Sequence, residues 1–451
     1  MKKFLVLCLI VIIGIATFAL FNSALFESSP PTIHSKNEIY WNYKDPLKIK
    51  ITDDSGIQNY RVYMNSSKET LLLDSVNPEG TPKEVEIEID PPKNTMFMQE
   101  DGIEIEIVAT DSSLFFGNST SLKIQAKVDT KRPQIEVIAH SYKITKGGAA
   151  FVVFRAIDDN LSNIVIKNGQ DEFVPVYFAD DGYYAALLNW NIKSEGFSAQ
   201  IFAKDKAGNV SSAIIPFYRQ NKKYRESTIK VDDSFLEGKV SSLIQEVGER
   251  ELQSFNSLAE RLTYINQKVR GENESNILRI GQAYDTGLVN PQNFRLTAFY
   301  PLRNGAAVAG FGDHRFFSYN NEIISESYHL GIDFASVKQA PIVITNGGVV
   351  TFAGFNGIYG NMVLIHHGMG LMSLYAHMTQ IDIKEGDRLE AGTTIGKTGL
   401  TGLVLGDHLH FGITIQGLES NTAEWLDKRW LQDNIFRVIE NANKLIQSRT
   451  R

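Results

Sequence analysis

The chain has 451 residues, a formal net charge of -7, 22% charged and 43% hydrophobic residues, and a single cysteine. That length accommodates roughly three domains of about 150 residues. The mildly acidic balance, with no Lys/Arg-rich run, excludes nucleic acid as an expected partner, because phosphate binding needs a basic patch. One cysteine excludes a disulfide framework.

Residues 1–21 read as a membrane anchor or signal segment. Lys2 and Lys3 precede a charge-free apolar run from Phe4 to Phe21, near the lower limit for a bilayer-spanning helix and long for a signal-peptide core. Lysines on that side favour a cytoplasmic N-terminus. The expectation is therefore anchorage in the cytoplasmic membrane with the body outside, on the periplasmic side of the cell envelope. A cleaved signal is the alternative, because Thr17, Phe18 and Ala19 loosely fit the small-x-small rule. Cys8 has too little apolar sequence before it for a lipoprotein signal and reads as a packing residue. Residues 22–39, polar and carrying Ser28, Ser29, Pro30 and Pro31, suit a tether.

A weak internal repeat follows. The stretch from Lys48 through Asp53 and Asp54 to Ile57 is echoed by Val153 through Asp158 and Asp159 to Leu161, and Ile107–Asp111 is echoed by Ile201–Asp205. Both copies alternate apolar and polar residues and break at Asp/Asn/Gly turns, so they predict two successive β-sandwiches, 40–130 and 131–222, joined at Asp129–Pro133. Ala207, Gly208 and Asn209 resemble the closing-strand signature of bacterial immunoglobulin-like modules. The paired aspartates lack the twelve-residue pattern of a recognised calcium loop, and turn chemistry accounts for them.

Residues 225–290 change period. Leu236, Val240, Leu243, Ile244 and Val247, then Leu258, Leu262, Ile265 and Val269, are spaced as in helices, with a break expected at Gly271. This helical linker region has an apolar stripe expected to pack on a neighbouring domain. Residues 297–427 return to glycine-punctuated β sequence, with hairpins expected at Gly347–Gly354 and Lys384–Gly396. Residues 428–451 read as a C-terminal helix, from the spacing of Ile435, Val438, Ile439 and Leu445.

Seven of the nine histidines lie between His314 and His410. Three groups have metal-site spacing: His329 with Asp333, then Tyr375 with His377, then His408 with His410. Each sits among glycines and β-branched or aromatic residues, which predicts short strands. Strand parity places His408 and His410 on one face, with Leu409 and Phe411 toward a core. It also aligns His329 with Asp333, and Gly331 between them leaves room for an ion. Imidazole plus carboxylate suits zinc, and three protein ligands with one open position is the usual arrangement of a catalytic site. Hydrolysis is the reaction class this predicts.

The segments Tyr328–Ala335, Gly370–Met378, Gly386–Asp387 and Thr401–Phe411 occur in the order and spacing of the lysostaphin/LytM-type zinc metallopeptidases, the M23 family, and the chain resembles that family here. The resemblance implies a multidomain, mainly β protein: two immunoglobulin-like sandwiches, the helical linker and an antiparallel β-sheet LytM-type peptidase domain. It implies that His329, Asp333 and His410 hold one Zn²⁺ per catalytic domain, with His377 and His408 flanking its open side. Zinc would acidify water to near neutral pH and polarise a carbonyl, and a nearby imidazole can take a proton or stabilise an oxyanion. A lone histidine on a strand is more often a hydrogen-bonded structural residue; five residues in motif register reverse that.

The implied substrate is the stem-peptide cross-link of peptidoglycan, cut by an endopeptidase that could also act as a carboxypeptidase. The membrane holds the N-terminal segment, and the sandwiches serve as spacers or protein-docking modules. The alternative is a catalytically silent relative that activates another wall hydrolase, but such proteins usually lose ligands, and here all three ligand and both catalytic positions are intact. Some relatives fill the open metal position with an upstream side chain, so the helical region and the loop 311–328 are candidate shields. His366 and His367 are adjacent, so at most one faces the metal, and both read as supporting residues. His314 lies where relatives usually have a Phe-Gly-x-Arg phrase, which displaces the basic residue to Arg315. Asp407 reads as a turn residue.

Overall fold

The computed structural model describes residues 10–15, 17–18, 28–66, 69–92, 102–113, 117–283 and 289–449. The membrane segment expected at 1–21 and the start of the tether lie largely outside the described residues. Residues 10–15 and 17–18 are helical, and no helix among the described residues is long and apolar enough to cross a membrane. The chain is mainly β and divides into two units: Met1–Pro133 with Asp158–Asn163 and Lys204–Ser211, and Gln134–Ile157 with Ile164–Ala203 and Ser212–Arg451.

In the first unit Ile103, Ile105, Ile107 and Ala109 are buried in alternation along the strand Gly102–Asp111. That strand lies in the middle of a five-stranded sheet ordered Glu38–Trp41, Ser119–Val128, Gly102–Asp111, Ile57–Asn65, Thr70–Val76. Ile49, Ile51, Ile87 and Ile89 of a three-stranded sheet (Thr32–His34, Leu47–Thr52, Glu84–Ile89) share the same core. Alternating isoleucines facing between two sheets are what make this a two-layer structure.

The repeat noted in the sequence ends both times on a buried aspartate. Asp111 accepts bonds from the Asn118 backbone and side-chain nitrogens at 2.7 and 2.9 Å. Asp205 accepts the same pair from Asn209 at 2.8 Å each. The Asp/Asn turns are thus locally satisfied, which explains both copies of the repeated phrase by turn chemistry.

The second unit contains a four-stranded sheet ordered Val176–Ala179, Tyr183–Asn189, Ala149–Ile157, Gln134–His140 and the larger part of another, ordered Asp171–Phe173, Leu161–Asn168, Gln200–Asp205, Val210–Ile214. Residues 149–154 are buried on both faces. The helix Arg437–Arg449 packs on the strands Gln134–His140 and Ala149–Ile157, and Arg449 bridges to Glu136 through two bonds of 2.7 Å.

The expected all-helical region 225–290 begins differently, with the strand Glu226–Lys230 running parallel to His314–Tyr319. Its period-two sequence Glu226, Ser227, Thr228, Ile229, Lys230 is too short to stand out before a helix. Residues 233–247 are then helical and stop at Gly248, whose φ of +73° is the left-handed cap that glycine supplies without steric cost. Gly271, expected to break the next helix, lies inside the helix Arg270–Ala283. Interior glycine costs only about 1 kcal/mol, and burial offsets that: Leu236, Val240, Leu243, Leu262, Ile265, Val269 and Ile277 share one core with Ile358, Met362, Leu364 and Leu374.

The main sheet of the C-terminal part runs Ala306–Ala309, Ile332–Ala335, Leu409–Ile415, Leu371–Met378, Asn361–Gly368, Gly348–Phe355, Arg388–Leu389, with Leu418–Ser420 beside Leu409–Ile415. Its strands pair antiparallel. Phe411 anchors the middle, packed between Phe299 at 5.7 Å and Tyr375 at 5.2 Å.

Candidate metal centre

Asp333 and His410 are directly opposed on neighbouring strands, so both side chains leave the sheet on the same face. His408, one residue before the strand Leu409–Ile415, shares that face with His410, and Leu409 and Phe411 turn into the core at 0% exposure. His329 stands in the turn before the strand Ile332–Ala335, not in an extended strand. Its Nδ1 donates to the Gly310 carbonyl at 2.8 Å, which points Nε2 inward.

Three donor atoms converge. His329 Nε2 lies 2.9 Å from Asp333 Oδ1 and 3.1 Å from His410 Nδ1, and His410 Nδ1 lies 2.9 Å from Asp333 Oδ1. Donors around a tetrahedral divalent ion bound at 2.0–2.1 Å stand roughly 3.3 Å apart. The spacing, the burial and the N/N/O chemistry therefore fit a metal.

His377 reaches the same face by an irregularity. Ala376 pairs with His410, so strict alternation would send His377 to the opposite side. The strand instead shifts register against Asn361–Val363, and His377 adopts a φ of +63°. A bulge with a non-glycine residue in the left-handed region costs roughly 1–3 kcal/mol and is typical of residues re-aimed for function. The His377 ring then lies 4.9 Å from that of His408 and 5.7 Å from that of His410. Its Nδ1 donates to the Thr401 carbonyl at 2.9 Å, leaving Nε2 as the acceptor. His408 Nδ1 donates to the Gly406 carbonyl at 2.8 Å, and its Nε2 lies 3.5 Å from Asp333 Oδ1.

Charges follow from these contacts. Burial pushes the Asp333 carboxyl up, but hydrogen bonds from His329, His408 and His410 outweigh it and hold the group well below the carboxylate range. Burial lowers His410 to about 4, against the pull of Asp333, and burial followed by repulsion from His410 and His408 lowers His377 far below its ordinary value. Both imidazoles are neutral at pH 7, the form that ligates a metal or accepts a proton. His408 is also opposed by burial, yet Asp333 raises it above its ordinary value.

Gly331 makes the close approach possible. A Cβ there would meet His410 Nε2 and the Phe411 carbonyl oxygen at 2.6 Å each. Gly331→Ala should lower bound metal by roughly 10- to 100-fold in affinity, through displacement of His410. Metal content per chain after dialysis against a weak chelator checks this, with wild-type retention as the contradicting result.

The remaining expected residues separate. His314 stacks on Tyr328 at 4.4 Å and bonds Glu326 at 3.0 Å, away from the three donors. His366 accepts from Gly370 N at 3.2 Å. His367 bonds the Gly347 carbonyl and the Ser373 hydroxyl at 2.7 Å each. Asp407 accepts from the Thr398 hydroxyl and Gln339 N.

Burial lowers His367 to about 4, with the Gly347 carbonyl opposing. The unfolded chain, at an ordinary value of 6.5, takes this proton first, so His367 adds no penalty above pH 6.5 and costs stability as pH falls from 6.5 toward 4. The full window corresponds to about 3 kcal/mol. His367→Gln should flatten that part of the dependence of melting temperature on pH. An unchanged acid slope would contradict it.

Sequence reasoning missed the phrase around Arg315 as part of the site. Asp313 accepts from Ser227 and from Arg315 Nε at 3.2 Å, while Arg315 reaches Asp333 Oδ2 at 3.8 Å. Asp313 O also receives the His329 backbone N–H at 2.9 Å. The phrase thus buttresses both ends of the His329–Asp333 segment. The donors open into a cleft of about 590 Å³ whose other wall includes Thr228, Ile229, Phe235 and Arg270. A strand partner and a helix 60 to 100 positions upstream carry no local signal of that juxtaposition.

Comparison with known proteins agrees with this geometry. Residues 327–422 match peptidase family M23. The DD-carboxypeptidase/endopeptidase Mpg of Neisseria meningitidis serogroup B is 41% identical over 93 residues, 21% of this chain and 21% of the relative. The peptidoglycan DD-endopeptidase ShyA of Vibrio cholerae serotype O1 is 37% identical over 96 residues, 21% of this chain and 22% of the relative. The matched part spans about a fifth of the length of these curated relatives. A crystal structure of a putative peptidase M23 from Pseudomonas aeruginosa aligns with 62% of this chain and 94% of its own at 17% identity and a TM-score of 0.40. By the family match alone, residues 327–422 of this chain form a peptidase family M23 domain.

Proposed function

We propose that the protein is a zinc-dependent peptidoglycan hydrolase that cleaves stem-peptide cross-links, acting outside the cytoplasmic membrane from an N-terminal anchor. The observation that carries the reading is the convergence of His329 Nε2, Asp333 Oδ1 and His410 Nδ1 within 3.1 Å of one another, with two further imidazoles beside them. Bound there, zinc would supply Lewis acidity toward water and the scissile carbonyl.

The chain's own groups do the rest. His377, with Nδ1 tied to the Thr401 carbonyl and a neutral ring, presents Nε2 as a proton acceptor for the attacking water. His408, held toward its protonated form by Asp333, donates from Nε2 to the developing oxyanion and then to the leaving amine. The charge-free run from Phe4 to Phe21 behind two lysines supports the anchored location, and the sandwiches would act as spacers between membrane and wall or dock a protein partner.

Incubation of the zinc-loaded protein with uncross-linked and cross-linked muropeptides, read by mass spectrometry, tests this. Separation of the two stems identifies an endopeptidase, and loss of a terminal residue identifies a carboxypeptidase. Absence of both, with acceleration of a second wall hydrolase, would replace the proposal with the activator reading.

A further inference from the structure

Arg270 lies within the continuous helical run 258–283 and lines the cleft that holds the metal donors. Its side chain is half-buried, and no carboxylate among the described residues pairs with its guanidinium. Nε is out of contact with solvent and has no hydrogen-bond partner among the described residues, and Nη2 donates to the neutral Oδ1 of Asn266 at 3.1 Å. Asn266 is in turn held by the Ser325 hydroxyl at 2.9 Å, so the fork is aimed from a fixed support. Glu274, one helical turn on, is engaged by Lys193 at 2.6 Å. Arg315, which lines the same cleft, is already paired with Asp313.

Removing a cation from water without supplying an anion is costly. Burial pulls the Arg270 pKa down, and Arg315 pulls it the same way while Glu274 opposes. A guanidinium does not deprotonate in this range, so the charge stays and an incoming anion would complete it. The planar fork matches a carboxylate, which can accept two parallel N–H bonds.

We infer that Arg270 is a specificity-determining residue that binds a free carboxylate of the peptide substrate beside the metal donors, so that the enzyme prefers acidic peptides over their amidated forms. The inference rests on the peptidase reading for its substrate class. A chain-terminal and a side-chain carboxylate offer the same chemistry, and substitution at each position separates them.

The test is equilibrium binding of an uncross-linked stem tetrapeptide to the zinc-loaded full chain in detergent, followed by calorimetry. The same peptide is then measured with each carboxylate converted in turn to the carboxamide. Wild-type protein should lose about 10- to 100-fold in affinity for one of the amidated peptides. In Arg270→Gln the ratio of affinities for carboxylate and carboxamide should fall toward one, with zinc content unchanged, and Arg270→Lys should recover part of it.

Equal binding of all peptides by the wild type overturns the inference without recourse to a variant. An unchanged ratio in Arg270→Gln and Arg270→Lys also overturns it. Because binding is read separately from hydrolysis, carboxylate selectivity with no cleavage of either the cross-linked or the uncross-linked peptide would sink the peptidase reading and leave Arg270 as an anion-binding residue.

Discussion

Replacing His329 by alanine is expected to remove the metal and the activity together. His329 gives one of three donors packed within 3.1 Å, and the remaining pair, Asp333 and His410, cannot close a three-point site. Bound zinc should fall from about one per chain to near zero, and kcat/KM by at least roughly 10³-fold, since metal stabilisation of transition-state charge is worth several kcal/mol. Metal analysis and peptide hydrolysis on the same sample check both numbers. Retention of stoichiometric zinc by His329→Ala would mean that another side chain holds the ion.

His377→Ala is expected to separate the two properties. Its Nε2 faces the site, but its ring lies beyond the three donors, with Nδ1 committed to Thr401. Zinc content should stay near that of the wild type, while kcat drops about 10²- to 10⁴-fold, the usual contribution of a positioned acid or base. His408→Ala should do the same. Alanine keeps the Cβ that makes a φ of +63° costly, so the variant retains the strain, loses the packing of the ring and should melt no higher than the wild type. Loss of zinc in His377→Ala, with retention in His329→Ala, would invert the roles assigned here.

These residues differ in how far their sequence neighbourhoods reveal them. His408 and His410 were legible because period-two geometry alone puts them on one face; Gly331, read as room for an ion between an aligned His329 and Asp333 on one extended strand, instead lies against His410, with His329 outside the strand Ile332–Ala335. His377 was legible only through motif resemblance. Strand parity points it away from the metal, and the bulge with φ of +63° that redirects it has no signature in Tyr375, Ala376, His377. The period-3.6 stripe in 233–283 predicted burial, because periodicity reports an apolar face directly. It could not say that the buried face rests on Ile358, Met362 and Leu374, nor that Arg270 on a neighbouring face enters the cleft. Such pairings are long-range and are decided by topology. The strand Glu226–Lys230 was lost for a related reason: five residues, mostly polar and at a sheet edge, are stabilised by a parallel partner almost ninety positions away.

On the proposed function, one divalent ion held by His329, Asp333 and His410 would make this chain a hydrolase of wall peptides. That role is tested most directly by stripping the full chain with chelator, adding back zinc in fractional equivalents, and following cleavage of a purified cross-linked muropeptide by mass spectrometry. Cleavage should be absent from the stripped protein, rise in proportion to added zinc and level off at about one equivalent per chain. Cleavage that survives stripping, or a fully metal-loaded protein that leaves the cross-link intact, would contradict it.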